Sequence, residues 1–216
     1  MTVPRVTEIL SAYTTYNKVH PDILERAAAR GSTVHSLCAG IAKGNWIPDG
    51  IISEEYLGYV NSFKMWAKNQ VDKFIIIEKR YVDEISDYTG QLDYVIRGHD
   101  KELYLVDLKT SARPQKTYPV QMAAYDRLLR ANNINVKGAI LVYLDKDGEF
   151  PDIDYLEDLT EETHIFLSAL ECWHYFNKRK KDDKSTRATE ESGNHTGADD
   201  ADAELIPENH HDNERA

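Results

Sequence analysis

Two cysteines in 216 residues, Cys38 and Cys172, are too few for a four-cysteine zinc or iron–sulfur site and allow at most one disulfide. Both stand among apolar neighbours on expected helices, so buried free thiols in a reducing compartment are expected. No apolar run is long enough to span a membrane, and no charged-then-apolar start reads as a signal peptide. A cytoplasmic location without a membrane partner is therefore expected. The chain also lacks an internal repeat, a phosphate-binding glycine loop and a Ser–His–Asp signature. These absences remove nucleotide-driven motors and serine hydrolases from the candidate functions.

Basic residues are outnumbered, with a net charge of −11, but the deficit is uneven. Residues 182–216 hold eleven acidic and three basic side chains, a net of −8, which leaves −3 for residues 1–181. The first part, 41% hydrophobic over the whole chain, can bury one substantial core. The last part has almost no aliphatic side chains beyond Leu205 and Ile206. It cannot bury enough apolar surface to offset ordering and reads as a disordered acidic tail. His195, His210 and His211 in it are a weak metal-binding run at most. The expected division is thus one domain over 1–181 and a tail over 182–216. A near-neutral domain can still carry a basic groove, so this charge neither supports nor excludes nucleic acid.

What is present centres on residues 89–125. Thr89-Gly90-Gln91-Leu92-Asp93-Tyr94-Val95 and Leu105-Val106-Asp107-Leu108-Lys109-Thr110 have strand composition, yet each carries acidic side chains inside an apolar run. Strand alternation puts Asp107 and Lys109 on one face, continued by Leu103 and Leu105, with Tyr104, Val106 and Leu108 on the other. A strand apolar on both faces is usually central in a helix-covered sheet, and its C-terminal end is where α/β proteins place sites. Gln121 and Tyr125 are four apart on a helix expected from Pro119, so they share a face. Asp107 and Lys109 alone would read as an ordinary strand-end ion pair. Asp93 upstream and Gln121 with Tyr125 downstream turn the reading toward a metal-binding site, since an unpaired buried carboxylate costs several kcal/mol.

The flanking sequence fits an α/β arrangement. Pro21 opens a helix, Gly31 is expected to interrupt it, and Ser32 or Thr33 to cap a second helix to about Lys43, carrying Val34, Leu37, Cys38 and Ile41 as an apolar stripe. His35 lies beside that stripe, either as a structural histidine or as a ligand. Trp46, in a loop, reads as a base-stacking platform or as a cover for the core edge. A long helix from Ser53 precedes strands beginning at Phe74, with a hairpin loop at Gly98-His99-Asp100-Lys101. A further strand over Val136 to Leu144, an edge strand near Ile153 to Leu156 and a final helix from Glu161 to about Lys178 complete the domain.

Gly-x-x-Asp at Gly90 and Asp93, Asp-x-Lys-Thr at Asp107 to Thr110, and Gln-x3-Tyr at Gln121 and Tyr125 together resemble the PD-(D/E)XK nuclease superfamily. The order is similar to its RecB-like exonuclease branch, which also carries a histidine after Arg-Gly, here Arg30-Gly31-Ser32-Thr33-Val34-His35. The likeness runs from about Pro4 to Tyr143. It implies a restriction-endonuclease-like core: a central mixed sheet flanked by helices, with an N-terminal helical segment. It implies a metal-dependent DNA exonuclease of the stand-alone phage or mitochondrial-genome-maintenance type, serving recombination, repair or replication, in a host cytoplasm if viral. A recombination or single-strand-binding partner would follow.

Under that resemblance Asp93 and Asp107 are catalytic metal ligands, joined by His35 and the Leu108 backbone carbonyl. Hard oxygen donors suit Mg2+, and a nitrogen donor shifts preference toward Mn2+. Lys109 orients or activates the attacking water, or stabilises developing charge. Gln121 and Tyr125 position the DNA phosphate. Glu78 either orients Lys109 or faces solvent. With only two cysteines, no iron–sulfur cluster is expected. The alternatives are a catalytically silent DNA- or protein-binding module on the same fold, a structure-specific endonuclease, and a metal-dependent nucleotide phosphohydrolase. The tail, beside Lys178 to Lys181, either competes for the DNA groove or serves solubility.

Overall fold

Runs of Val, Ile, Leu and Tyr make five strands, and one sheet takes them in chain order. The computed structural model describes residues 3–14, 19–111 and 114–192, with side chains to residue 177. The chain divides into two units, Met1–His174 and Tyr175–Ala216. In the first, β1 (Val71–Asp83), β2 (Tyr88–Gly98) and β3 (Leu103–Lys109) form an antiparallel meander. The left-handed φ of Asp87 (54°) and Lys101 (70°) lies in its two hairpin turns. Strand β4 (Gly138–Tyr143) lies parallel to β3, and β5 (Asp152–Leu156) closes the sheet antiparallel to β4. A parallel neighbour cannot be reached by a hairpin, so α4 (Thr117–Ala131) crosses the sheet between β3 and β4.

Helices cover both faces. On one, α1 (Val6–Leu10), α4 and α5 (Thr160–Ser192) bury Leu10, Leu128 and Phe166 against Leu92, Val95 and Leu105. On the other, α2 (Pro21–Ala42) and α3 (Glu54–Gln70) bury Val34, Phe63 and Trp66 against Tyr94, Val106 and Leu108. The result is an α/β fold with a mixed five-stranded sheet, flanking helices and an N-terminal helical segment. It agrees with the restriction-endonuclease-like core expected from the sequence.

Several local expectations change. Helix α2 is continuous through Gly31, and Thr33 donates its hydroxyl back to the Ala29 carbonyl at 3.0 Å and caps no new helix. The sheet begins at Val71, which also ends α3. Helix α4 starts at Thr117, with Pro119 in the first turn, where its missing N–H is harmless. Cys38 is buried and free as expected, but Cys172 is exposed, one position outside the buried Ala169–Leu170 face of α5. On the same helix Ile165 and Phe176 are 48% and 62% exposed. Trp46 is 86% exposed, so it does not cover the core edge. The helical assignment of α5 extends to Ser192, beyond Lys178 and into the expected tail. The rest of that tail, with His195, His210 and His211, lies outside the described residues. No helix among the described residues is long and apolar enough to cross a membrane.

Candidate active site

The β2–β3 ladder ends at the Tyr94–Val106 pair. One step further in the same register come Asp93 and Asp107, near enough that the charge of one acts on the other, an arrangement that like charges oppose. The strands stop exchanging backbone bonds here, and the Asp93 carboxylate takes over: its Oδ2 accepts the Leu108 N–H at 2.9 Å. The same oxygen faces His35 Nδ1 at 3.2 Å. Helix α2 presents His35 because Val34, its neighbour, is fully buried and fixes the helix rotation. Burial pushes Asp93 upward, but the charge and hydrogen bond of His35 and the Leu108 N–H outweigh it, holding the carboxyl below its usual range. Burial would lower His35, yet the Asp93 charge and hydrogen bond raise it to about 9.

Asp107 is paired differently. Its Oδ2 lies 2.6 Å from Lys109 Nζ, and both side chains are nearly buried. At that distance the ammonium is the charged partner of this oxygen, and no second donor reaches it among the described residues. Burial raises the Asp107 pKa, with the Asp93 charge adding to it and Lys109 pulling back. Lys109 would be lowered by burial, but Asp107 holds it above its ordinary value. Lys109 also donates to Gln121 Oε1 at 3.0 Å and sits 4.0 Å from the centre of the Tyr118 ring. The Gln121 amide donates to Asp107 Oδ1 at 3.4 Å and to the Tyr125 hydroxyl at 3.0 Å.

Helix α4 can deliver these groups because residue 90 is glycine: a Cβ there would come within 2.7 Å of the Tyr125 ring. The chain thus brings together His35, Asp93, Asp107, Lys109, Gln121 and Tyr125. Leu108 reaches the group through its N–H; its carbonyl as a ligand is an expectation of the resemblance. Glu78 comes from β1, opposite Asp93 by the flanking pairs Ile77–Tyr94 and Lys79–Leu92. It has an uncommon left-handed φ of 46° and lines a cleft of about 480 Å³ with Arg5, Arg80, His35, Asp93 and Tyr125. Among the described residues it makes no hydrogen bond to Lys109, and the orienting alternative has no contact behind it. Tyr118, Arg5 and Arg80 were not singled out from sequence. Tyr118 was findable, since Tyr118, Gln121 and Tyr125 follow helical spacing. The arginines were not, because Arg5 reaches the cleft from the opposite end of the chain.

Among the described residues, no three His, Cys, Asp or Glu groups stand close enough to hold a metal as they are. The donor set still fits a hard divalent cation. Two neighbouring buried carboxylates, Asp93 and Asp107, supply hard oxygen donors, and His35 adds a ring nitrogen 3.2 Å from Asp93.

No protein-family model and no curated protein matches this chain. Among solved structures, the crystal structure of SSO0001 is similar at 18% identity and a TM-score of 0.33, over 52% of this chain and 54% of that one. The chain thus spans about half of that protein. The crystal structure of LHK-Exo in complex with dAMP is similar at 14% identity and a TM-score of 0.40, over 84% of this chain and 94% of that one. Likenesses this loose carry no function across.

Proposed function

We propose that this chain is a divalent-metal-dependent deoxyribonuclease of the PD-(D/E)XK superfamily, in its RecB-like branch, and that it acts as an exonuclease on DNA ends. One observation carries the reading: the carboxylates of Asp93 and Asp107 lie near enough to act on each other's charge where the β2–β3 ladder ends, with Lys109 2.6 Å from Asp107 and His35 3.2 Å from Asp93. Fold stability alone gives no reason to oppose two carboxylates there. Asp93, Asp107, the Leu108 carbonyl and His35 would hold Mg2+ or Mn2+. The bound ion would supply charge for the phosphodiester transition state and lower the pKa of a water. His35 would have to give up its proton to act as a ligand. Lys109, held above its ordinary pKa by Asp107 in the metal-free site, would orient or activate the attacking water or neutralise developing charge. Gln121 holds Lys109, Asp107 and Tyr125 in one network, which fixes the angle at which a phosphate is met.

A second reading is a silent DNA-binding module on the same fold, which would use Arg5 and Arg80 of the cleft to hold the strand without cutting it. Digestion of end-labelled linear and circular DNA with magnesium, manganese or chelator separates the readings. Metal-dependent loss of linear DNA alone supports an exonuclease, and cutting of circles an endonuclease. Binding without cleavage in any metal overturns the enzyme assignment.

A further inference from the structure

Three glycines stand inside long helices: Gly31 and Gly40 in α2 and Gly58 in α3. Packing accounts for two. A Cβ at Gly58 would overlap the Lys146 carbonyl, and one at Gly40 would press on Ile47 at 3.1 Å. Gly31 has no such reason. Its φ is not left-handed, and a Cβ there would meet only the Thr110 hydroxyl at 3.7 Å, an ordinary contact. Glycine is among the least favourable residues in a helix interior, so its presence points to something outside the chain that approaches the backbone. Gly31 lines the same cleft as His35, Asp93 and Tyr125.

The preceding residue is equally unexplained by the fold. Arg30 Nε is buried with no hydrogen-bond partner, and no carboxylate pairs with Arg30 among the described residues. Its guanidinium lies 5.8 Å from the centre of the Tyr59 ring. Tyr59 lines a second cleft of about 500 Å³ with Thr110, Ser111, Tyr143 and Lys146. Thr110 directly follows Lys109, so this cleft opens one residue beyond the proposed catalytic group. Of the aspartates around it, Asp145 Oδ1 accepts the N–H groups of Asp147 and Glu149 at 2.8 and 3.2 Å. Asp152 and Asp154 are exposed to solvent. Arg30 is therefore a half-buried cation without a carboxylate partner among the described residues, next to Gly31 of the first cleft, which lies beside Thr110 of the second.

We infer that the Arg30–Gly31 step of α2 is the saddle over which a nucleic-acid strand passes between the two clefts. Gly31 gives the strand clearance over the helix, and Arg30 contacts one of its phosphates. The inference rests on the nuclease reading.

The test is binding of a labelled, phosphorothioate-linked single-stranded DNA, resistant to cleavage, in magnesium over a range of salt. Melting temperatures are measured alongside. Gly31→Ala should raise Tm by roughly 2–4 °C through helix propensity and yet bind DNA less tightly. Gly31→Leu should weaken binding about tenfold. Arg30→Gln should weaken it about tenfold and reduce the slope of log affinity against log salt by about 0.7, whereas Arg30→Lys should keep the slope. Wild-type affinity in both Gly31 variants, or an unchanged slope in Arg30→Gln with only a lowered Tm, overturns the inference. If wild type cleaves DNA while the variants behave so, only this inference falls. If wild type neither binds nor cleaves DNA, the nuclease reading falls with it.

Discussion

The two faces of β3 leave the same seven residues in opposite conditions. Toward α2 and α3, Val106 and Leu108 pack against Phe63, Trp66 and Tyr94, and dispersion and burial satisfy them completely. Toward α4, Leu105 is equally buried, but Asp107 and Lys109 follow it into the interior, paired with each other and bonded to Gln121. The first face is closed chemistry. The second is a charge balance that a cation or a phosphate can enter, and the difference separates residues kept for stability from those proposed for catalysis.

The largest effect should come from breaking the charged face. Asp107→Ala, Asp93→Ala or Lys109→Ala should each lower cleavage of end-labelled DNA by about 10³-fold or more. Near wild-type turnover in Asp107→Ala would remove it from the site. The apolar face should answer in the other currency. Phe63→Ala, which strips a ring packed against Trp66, Phe74 and Tyr94, should lose about 3–5 kcal/mol in denaturant unfolding. Its turnover per folded molecule should stay unchanged, and a selective loss of turnover would blur the contrast.

A paired substitution sharpens the comparison. Lys109→Met alone leaves Asp107 buried without its cation and should destabilise by about 3–5 kcal/mol, whereas Asp107→Asn with Lys109→Met should recover most of that. Equal instability of single and double variants would show that the ion pair is not what balances this face. Next in size, His35→Gln should weaken manganese binding by roughly 10–100-fold in a calorimetric titration if the ring is a ligand. A lowered Tm with an unchanged titration would make it a structural histidine.

The smallest effect concerns pH in chelator. The folded pKa of His35 is raised from 6.5 to about 9 by Asp93. Its stabilisation is therefore full below about pH 6.5 and is lost as pH rises through 9. The Tm gap between wild type and His35→Gln should shrink across that window. A gap that stays constant would show that the His35–Asp93 pair does not carry the charge described.

Much of this arrangement was legible beforehand, for reasons visible in particular residues. Period-2 alternation put Asp107 and Lys109 on one face, and period-3.6 spacing put Gln121 with Tyr125. Gly31 misled, because a glycine reads as a helix break where local propensity alone is weighed. Helix α2 runs through it, with Thr33 bonded back to Ala29 and Val34 buried. Arg5 and Arg80 were invisible as cleft residues, since no local pattern links residue 5 to residue 90.

By itself the sequence determined the strands, their faces and the identity of the polar groups among them, because hydrophobic periodicity and side-chain chemistry are local properties. Only the tertiary structure decided that Asp93 comes near Asp107 one step beyond the last ladder pair and that Leu108 N–H and His35 both turn to Asp93. It also decided that Gly90 clears room for Tyr125. Those facts depend on register and on the packing of α2 and α4 across the sheet, and such contacts between distant segments leave no mark on either segment alone.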